Sequence, residues 1–313
     1  MAIVPPPTPP ASGRGVTFAR HSLSTGVTLN VATAGPPDGP PIVFLHGFPE
    51  SHRTWRGLVP LLEDRYRLIM PDQRGFAGSD APQDKGDYAT DKIVADLFAL
   101  VDALGLDEFT LVGHDWGGAV AWAAALRGDP RLKRLVIVNA PHPVLFQKSL
   151  IEDHDQRTAS QYISAFRSPG FEHAPAAMGW DAFFDKSFGG HVDLALIAPE
   201  EKAQYLAEWS QAGVFNAMLN WYRGAAVMVP PPGVTVPLPD FLLRAFPKVQ
   251  VPTLVVWGMR DKALLPLQLD GLDALVERLT IVRVPDAGHF LPWEKPQAVA
   301  APLRSFLEAL RGA

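Results

Sequence analysis

The first residues able to do chemistry sit together in Gly113-His114-Asp115-Trp116-Gly117-Gly118. An apolar run from Phe109 leads into this stretch, and the alanine-rich segment Ala119 to Leu126 leads out of it. The pattern is that of a nucleophile elbow, a strained strand-to-helix turn whose tip projects above a sheet and whose glycine neighbours make room for it. Asp115 occupies the tip. A serine there attacks acyl carbon, whereas a carboxylate suits in-line attack on a saturated carbon bearing a leaving group, giving an alkyl-enzyme ester. Cleaving that ester takes a base to activate water and a carboxylate to orient the base. His289, in PDAGHFLPWEKP, and Asp261, in WGMRDKALLP, fit those roles. Each lies just beyond an apolar β-type run, where an open α/β sheet places its functional groups. Taken singly, Asp115 and Asp261 read as ordinary turn acids and His289 as one of 9 histidines; it is their combination that carries a mechanism.

The elements needed to position these groups follow in βα rhythm. Val16 to Ala34 contains two short β-type runs, expected as an antiparallel opening hairpin, and Ile42 to Leu45 is a continuously apolar strand suited to a sheet covered on both faces. Next come a helix from about Trp55 to Leu62, a strand over Arg67 to Met70, and the loop DQRGFAGSD, expected beside the mouth of the site with Asp72 and Arg74 pairing locally. The segment Asp91 to Leu104 places Ile93, Leu97, Leu100, Val101 and Leu104 on one helical face. After the elbow come the strand Leu135 to Ala140, then TLVVWG (Thr253 to Gly258), a helix near Leu269 to Val276, the strand Thr280 to Val284 and a closing helix from about Gln297 to Leu310. This alternation implies a mostly parallel central sheet with helices on both faces.

At Pro141 the rhythm breaks. Residues 141–249 lose the apolar strands and become helical pieces rich in aromatic residues, read as an inserted helical lid. Its segment VPPPGVTVPLPD (Val229 to Asp240) cannot be a helix. The core domain is then 16–140 with 250–313, preceded by a proline-rich tail over 1–15.

The whole chain sets bounds on function. Its 313 residues, 47% hydrophobic, can fill a sizeable core. A net charge of -5 gives no electrostatic footprint for nucleic acid. The absence of cysteine removes disulfides and thiolate metal sites. With neither a secretory signal nor a long apolar run, the expected location is the cytoplasm, away from membranes.

HGFPE (His46 to Glu50), GHDWGG (Gly113 to Gly118), LNWYR (Leu219 to Arg223) and AGH (Ala287 to His289) together resemble motifs of the α/β hydrolases, specifically the soluble epoxide hydrolases. The resemblance implies the α/β-hydrolase fold with its inserted cap and an Asp115–His289–Asp261 triad. It also implies an oxyanion hole from the backbone N–H groups of Phe48 and Trp116, and a cis peptide at Pro49. Two lid tyrosines would protonate the opening ring. One matches Tyr222; the other is Tyr162 or its competitor Tyr205, with Tyr162 favoured by the downstream Ser168-Pro169-Gly170. His46 and His114 are expected to be structural. The implied substrates are a small apolar epoxide and water, acted on by a monomer or homodimer without cofactor or metal. A haloalkane or haloacid dehalogenase of the same fold is the alternative enzyme, although Phe48 stands where the former often has Asn and Trp116 where the latter has Arg. A lidded ligand-binding receptor is the non-enzymatic alternative.

Overall fold

The computed structural model describes residues 15–309. All of the proline-rich tail except Gly15, and the expected end of the closing helix at Leu310, lie outside the described residues. The eight-stranded sheet comprises β1 (Thr17–Ser22), β2 (Thr28–Ala34), β3 (Pro41–Leu45), β4 (Arg67–Pro71), β5 (Phe109–His114), β6 (Leu132–Val138), β7 (Thr253–Gly258) and β8 (Leu279–Val284). Its spatial order is β1-β2-β4-β3-β5-β6-β7-β8. The pairs β1/β2 and β2/β4 are antiparallel and all the others parallel.

Side-chain alternation explains the double covering. On one face Val43, Leu45, Leu111, Ile137 and Val255 join one apolar cluster; on the other Phe44, Val112, Val136, Leu254 and Val256 join a second. Helices α1 (Val59–Leu62), α2 (Thr90–Ala103) and α3 (Trp116–Leu126) follow the early strands. The α2 face expected to pack, including Ile93, Leu97, Leu100 and Val101, is buried with α3 against the first cluster, while α1 lies against the second.

Seven helices then intervene before β7: α4 (Pro143–Glu152), α5 (His154–Ala159), α6 (Gln161–Arg167), α7 (Ala174–Met178), α8 (Trp180–Gly189), α9 (Pro199–Trp209) and α10 (Val214–Gly224). Residues 225–249 carry the 3-10 turn Asp240–Leu242 and a single parallel bridge from Val249 to Val276. After β7 come α11 (Leu272–Leu275), α12 (Leu291–Glu294) and α13 (Pro296–Ala309), the last covering the second cluster. The helical insertion is fastened to the core by polar contacts. Arg53 donates twice to Glu201 at 2.8 and 2.7 Å, and the Trp209 indole donates to Pro49 O at 2.7 Å.

Several expectations shift. The helix expected from Trp55 divides into a 3-10 turn at His52–Trp55 and the short α1, because Pro60 starts a new helix. The helix expected over Leu269 to Val276 is only the four residues of α11, entered through Gly271 at φ 82°. Asp72 and Arg74 do not pair. Each is taken by a partner distant in sequence: Asp72 takes the His52 ring at 2.8 Å and the Asn30 amide at 2.7 Å, while Arg74 forms a bidentate pair with Asp96 at 2.7 Å. This loop packs under α10, where Trp221 donates to Arg74 O at 2.8 Å.

Candidate active site

Asp115 stands between β5 and α3 at φ 50°, ψ -121°, a conformation costly for a residue with a side chain. The turn closes because its neighbours lack side chains. A β-carbon at Gly117 would collide with Leu45 O, and one at Gly47 with the Asp115 side chain itself. That proximity brings the Phe48 N–H to Asp115 Oδ1 at 2.8 Å, and the Trp116 N–H also donates to this carboxylate. Burial pushes the Asp115 carboxyl upward, while His289 and the two backbone donors favour its charge. The Phe48–Pro49 peptide is cis, as expected.

His289 follows β8 and is buried. Its Nδ1 lies 2.7 Å from Asp261 Oδ2, and its Nε2 3.6 Å from Asp115 Oδ2. The first is a hydrogen bond and the second a charge contact beyond hydrogen-bonding length. Burial opposes charge on the ring, but Asp261, through its charge and hydrogen bond, and then Asp115 and Glu50 raise His289 to about 9. Asp261 is itself held by three other donors. The N–H groups of Ala263 and Leu264 bond Oδ1 at 2.9 Å, and Asn139 Nδ2 bonds Oδ2 at 2.8 Å. These and His289 hold the carboxyl below its usual range against the opposing effect of burial.

Tyr162, on α6, and Tyr222, on α10, meet above this group with ring centroids 6.1 Å apart. Two cavities, of about 370 and 310 Å³, are each lined by Asp115, Tyr162 and Tyr222. The first carries Phe48, Phe166, Phe171, Phe183 and Phe290; the second carries Trp116, Ile163, Val227 and Leu264. Burial raises both phenols, with the Asp115 charge adding to it, so each hydroxyl keeps its proton near neutrality. Tyr222 also hydrogen bonds with the Trp116 side chain. Tyr205 is elsewhere: its hydroxyl donates to Glu50 Oε1 at 2.8 Å and lines neither cavity.

His46 and His114 make backbone hydrogen bonds. Gln73 N–H donates to His46 Nε2 at 3.0 Å, and His114 Nε2 lies 2.8 Å from His289 O. Burial lowers His114 to about 3 and His46 to about 4, keeping both neutral. Three neighbours went unnoticed in the sequence. Asn139, at the end of β6 with φ 42°, also accepts from Gly258 N–H at 2.9 Å. Its position at a strand end was the available signal. His191, in the first cavity with its ring 6.0 Å from His289, and Arg167 carried none. Among the described residues no group of three or more His, Asp or Glu stands ready for a metal, and no helix is long and apolar enough to cross a membrane.

Comparison with known proteins places this geometry in a family. The family model for the alpha/beta hydrolase fold matches residues 40–296. The AB hydrolase superfamily protein YfhM of Bacillus subtilis is 33% identical, over 91% of this chain and 96% of its own. Epoxide hydrolase A of Mycobacterium tuberculosis is 31% identical, over 92% and 96% respectively. A solved structure described among novel epoxide hydrolases in metagenomes from hot environments superposes with a TM-score of 0.83 at 45% identity, covering 93% of this chain and 98% of that one. A sheet with this strand order, a strained Asp elbow and these relatives together mean that the chain belongs to the alpha/beta hydrolase family and to its epoxide-hydrolase-like group.

Proposed function

We propose that the protein hydrolyses an apolar epoxide to a vicinal diol through an ester on Asp115, with helices α4 to α10 serving as a lid. The reading is carried by one juxtaposition: a carboxylate held by backbone donors faces two protonated phenols across apolar cavities. Asp115 Oδ1 is engaged by Phe48, leaving Oδ2 to attack a ring carbon. The C–O bond breaks as the new C–O bond forms, and Tyr162 and Tyr222 deliver a proton to the ring oxygen. An alkoxide is a stronger base than a phenolate, so even phenols raised by burial can donate.

Esterification has a useful electrostatic effect. It removes the negative charge of Asp115, one of the influences holding His289 protonated, and so shifts the ring toward its free-base form when water must be activated. His289 takes a proton from water, whose oxygen bonds the ester carbon while Phe48 and Trp116 N–H groups stabilise the oxyanion. The Cγ–Oδ2 bond then breaks, the departing diol oxygen takes the proton from His289, and the regenerated Asp115 carboxyl gives up its proton to restore the phenol. Asp261 holds the imidazole in orientation.

The test is a His289→Gln protein treated with styrene oxide. The expected result is a stable mass increase of one substrate on the Asp115 peptide; no adduct, with the variant folded, overturns the two-step scheme. Halide release from haloalkanes with inert epoxides would select the dehalogenase reading. Tight ligand retention without turnover of any substrate would select the receptor.

A further inference from the structure

Arg167 joins the two helices that carry the tyrosines. It is the last residue of α6, five positions after Tyr162, and its guanidinium reaches the end of α10, where Tyr222 sits in the last turn. Its Nε donates to Tyr222 O at 2.8 Å, Nη2 to Ala225 O at 3.1 Å and Nη1 to Val227 O at 2.8 Å. Carbonyls at a helix C-terminus lack intrahelical partners and favour a cation. Here one rigid fork serves three of them across the path from Tyr222 to Val227. Ala225, Ala226 and Val227 line the second cavity together with both tyrosines. The half-buried Arg167 therefore constrains the direction in which the chain leaves Tyr222 from the helix that bears Tyr162.

We propose that Arg167 is a positioning residue for ring opening, fixing the Tyr222 hydroxyl relative to that of Tyr162 by gripping the carbonyls at the end of α10. The inference rests on the Asp115-ester reading and concerns only its first step. Arg167 acts through the backbone: it lines neither cavity and lies outside the group formed by His289, Asp261 and the oxyanion donors. Ester formation should then depend on Arg167, and ester hydrolysis should not. Displacing a reacting group by about 1 Å costs up to about a hundredfold in rate.

A second arginine provides the control. Arg157, on α5, donates to the carbonyls of Leu150, Ile151 and Val234, the same kind of grip at another place in the insertion. An Arg157→Met protein loses a comparable support without touching the end of α10.

The experiment follows adduct formation with styrene oxide by rapid-quench mass spectrometry in the His289→Gln background, alone and with Arg167→Met, Arg167→Lys or Arg157→Met. Ester breakdown is followed in the same arginine variants with His289 intact. Arg167→Met is expected to slow ester formation about 10- to 100-fold, leaving breakdown within about twofold. Arg167→Lys, a point charge unable to span three acceptors, should fall between it and the parent, providing a readout should the methionine variant fail to fold. Arg157→Met should lower Tm and leave ester formation unchanged. Unchanged ester formation in a folded Arg167 variant overturns the proposal, as does an equal fall in both steps or an equal effect of Arg157→Met. If His289→Gln alone forms no adduct, the ester reading itself fails and takes this inference with it; an adduct whose rate ignores Arg167 removes the inference alone.

Discussion

The sheet side and the helical side of the cavity hold their reactive groups by different means. Below, Asp115 and Asp261 are charged groups, each held by backbone N–H donors, with His289 between them. Above, Tyr162 and Tyr222 are neutral phenols held among rings: Tyr222 packs edge-on against Phe48 and Trp116 with centroids 5.1 Å away in both cases. A buried carboxylate without donors would take up a proton and cease to be a nucleophile. A phenol does its work neutral, so it can sit among apolar rings without a charged partner, its direction set through the backbone that carries it. The lower half is therefore over-determined by hydrogen bonds and the upper half by shape, and substitutions should separate them.

The largest effect is expected below. Asp115→Ala removes the proposed nucleophile and should abolish turnover, by about 10⁴-fold or more, in an epoxide-to-diol assay. Any retained activity near the parent level would break the contrast at its centre. Asp261→Asn, which deprives His289 of its charged partner, should cost about 10²- to 10⁴-fold in kcat while ester still accumulates in rapid quench.

Above, losses should be milder because two donors share one oxygen. Tyr222→Phe is expected to slow ester formation about 10- to 100-fold, with the double variant Tyr162→Phe/Tyr222→Phe far slower. Tyr205→Phe should leave that step alone and reduce stability by about 1 kcal/mol for the lost hydrogen bond to the buried Glu50, read as a small drop in Tm. If Tyr205→Phe instead slowed ring opening, the assignment of the upper pair would be wrong.

The subtlest expectation concerns pH. With His289 raised from 6.5 to about 9 in the folded chain, protonation stabilises the fold fully below about pH 6.5 and this contribution disappears as pH climbs through about 9. A thermal-shift series should show Tm falling over that window in the parent and falling less in His289→Gln. The kinetic limb of ester hydrolysis should titrate below about 9, since the ester has lost the Asp115 charge.

The same division governs what could be read from the sequence. The elbow was legible because its demands are local: small residues at Gly113, Gly117 and Gly118, a strand before and a helix after. Asp261 and His289 were legible because each follows its strand by a few residues, and the doubly covered sheet because its strands are continuously apolar and alternate with helices. Motif resemblance singled out Tyr222, but the choice between Tyr162 and Tyr205 depended on how α6 and α9 are laid over the sheet, which no local spacing encodes. The Arg74–Asp96 pair and the Asn139 contact to Asp261 join residues 22 and 122 positions apart, so proximity in sequence pointed Arg74 to the wrong acid. Arg167 went unnoticed because a carbonyl cap leaves no signature in side-chain chemistry.

The corner formed by Phe48 and Pro49 works as a strut. Phe48 offers its amide hydrogen to Asp115 while the carbonyl of the following residue, Pro49, accepts from the Trp209 indole of α9. A displacement of α9 would thus tug the amide away from the oxygen it steadies. Trp209 borders neither chamber, yet two consecutive residues connect its indole to the Asp115 carboxylate on which the proposed reaction turns.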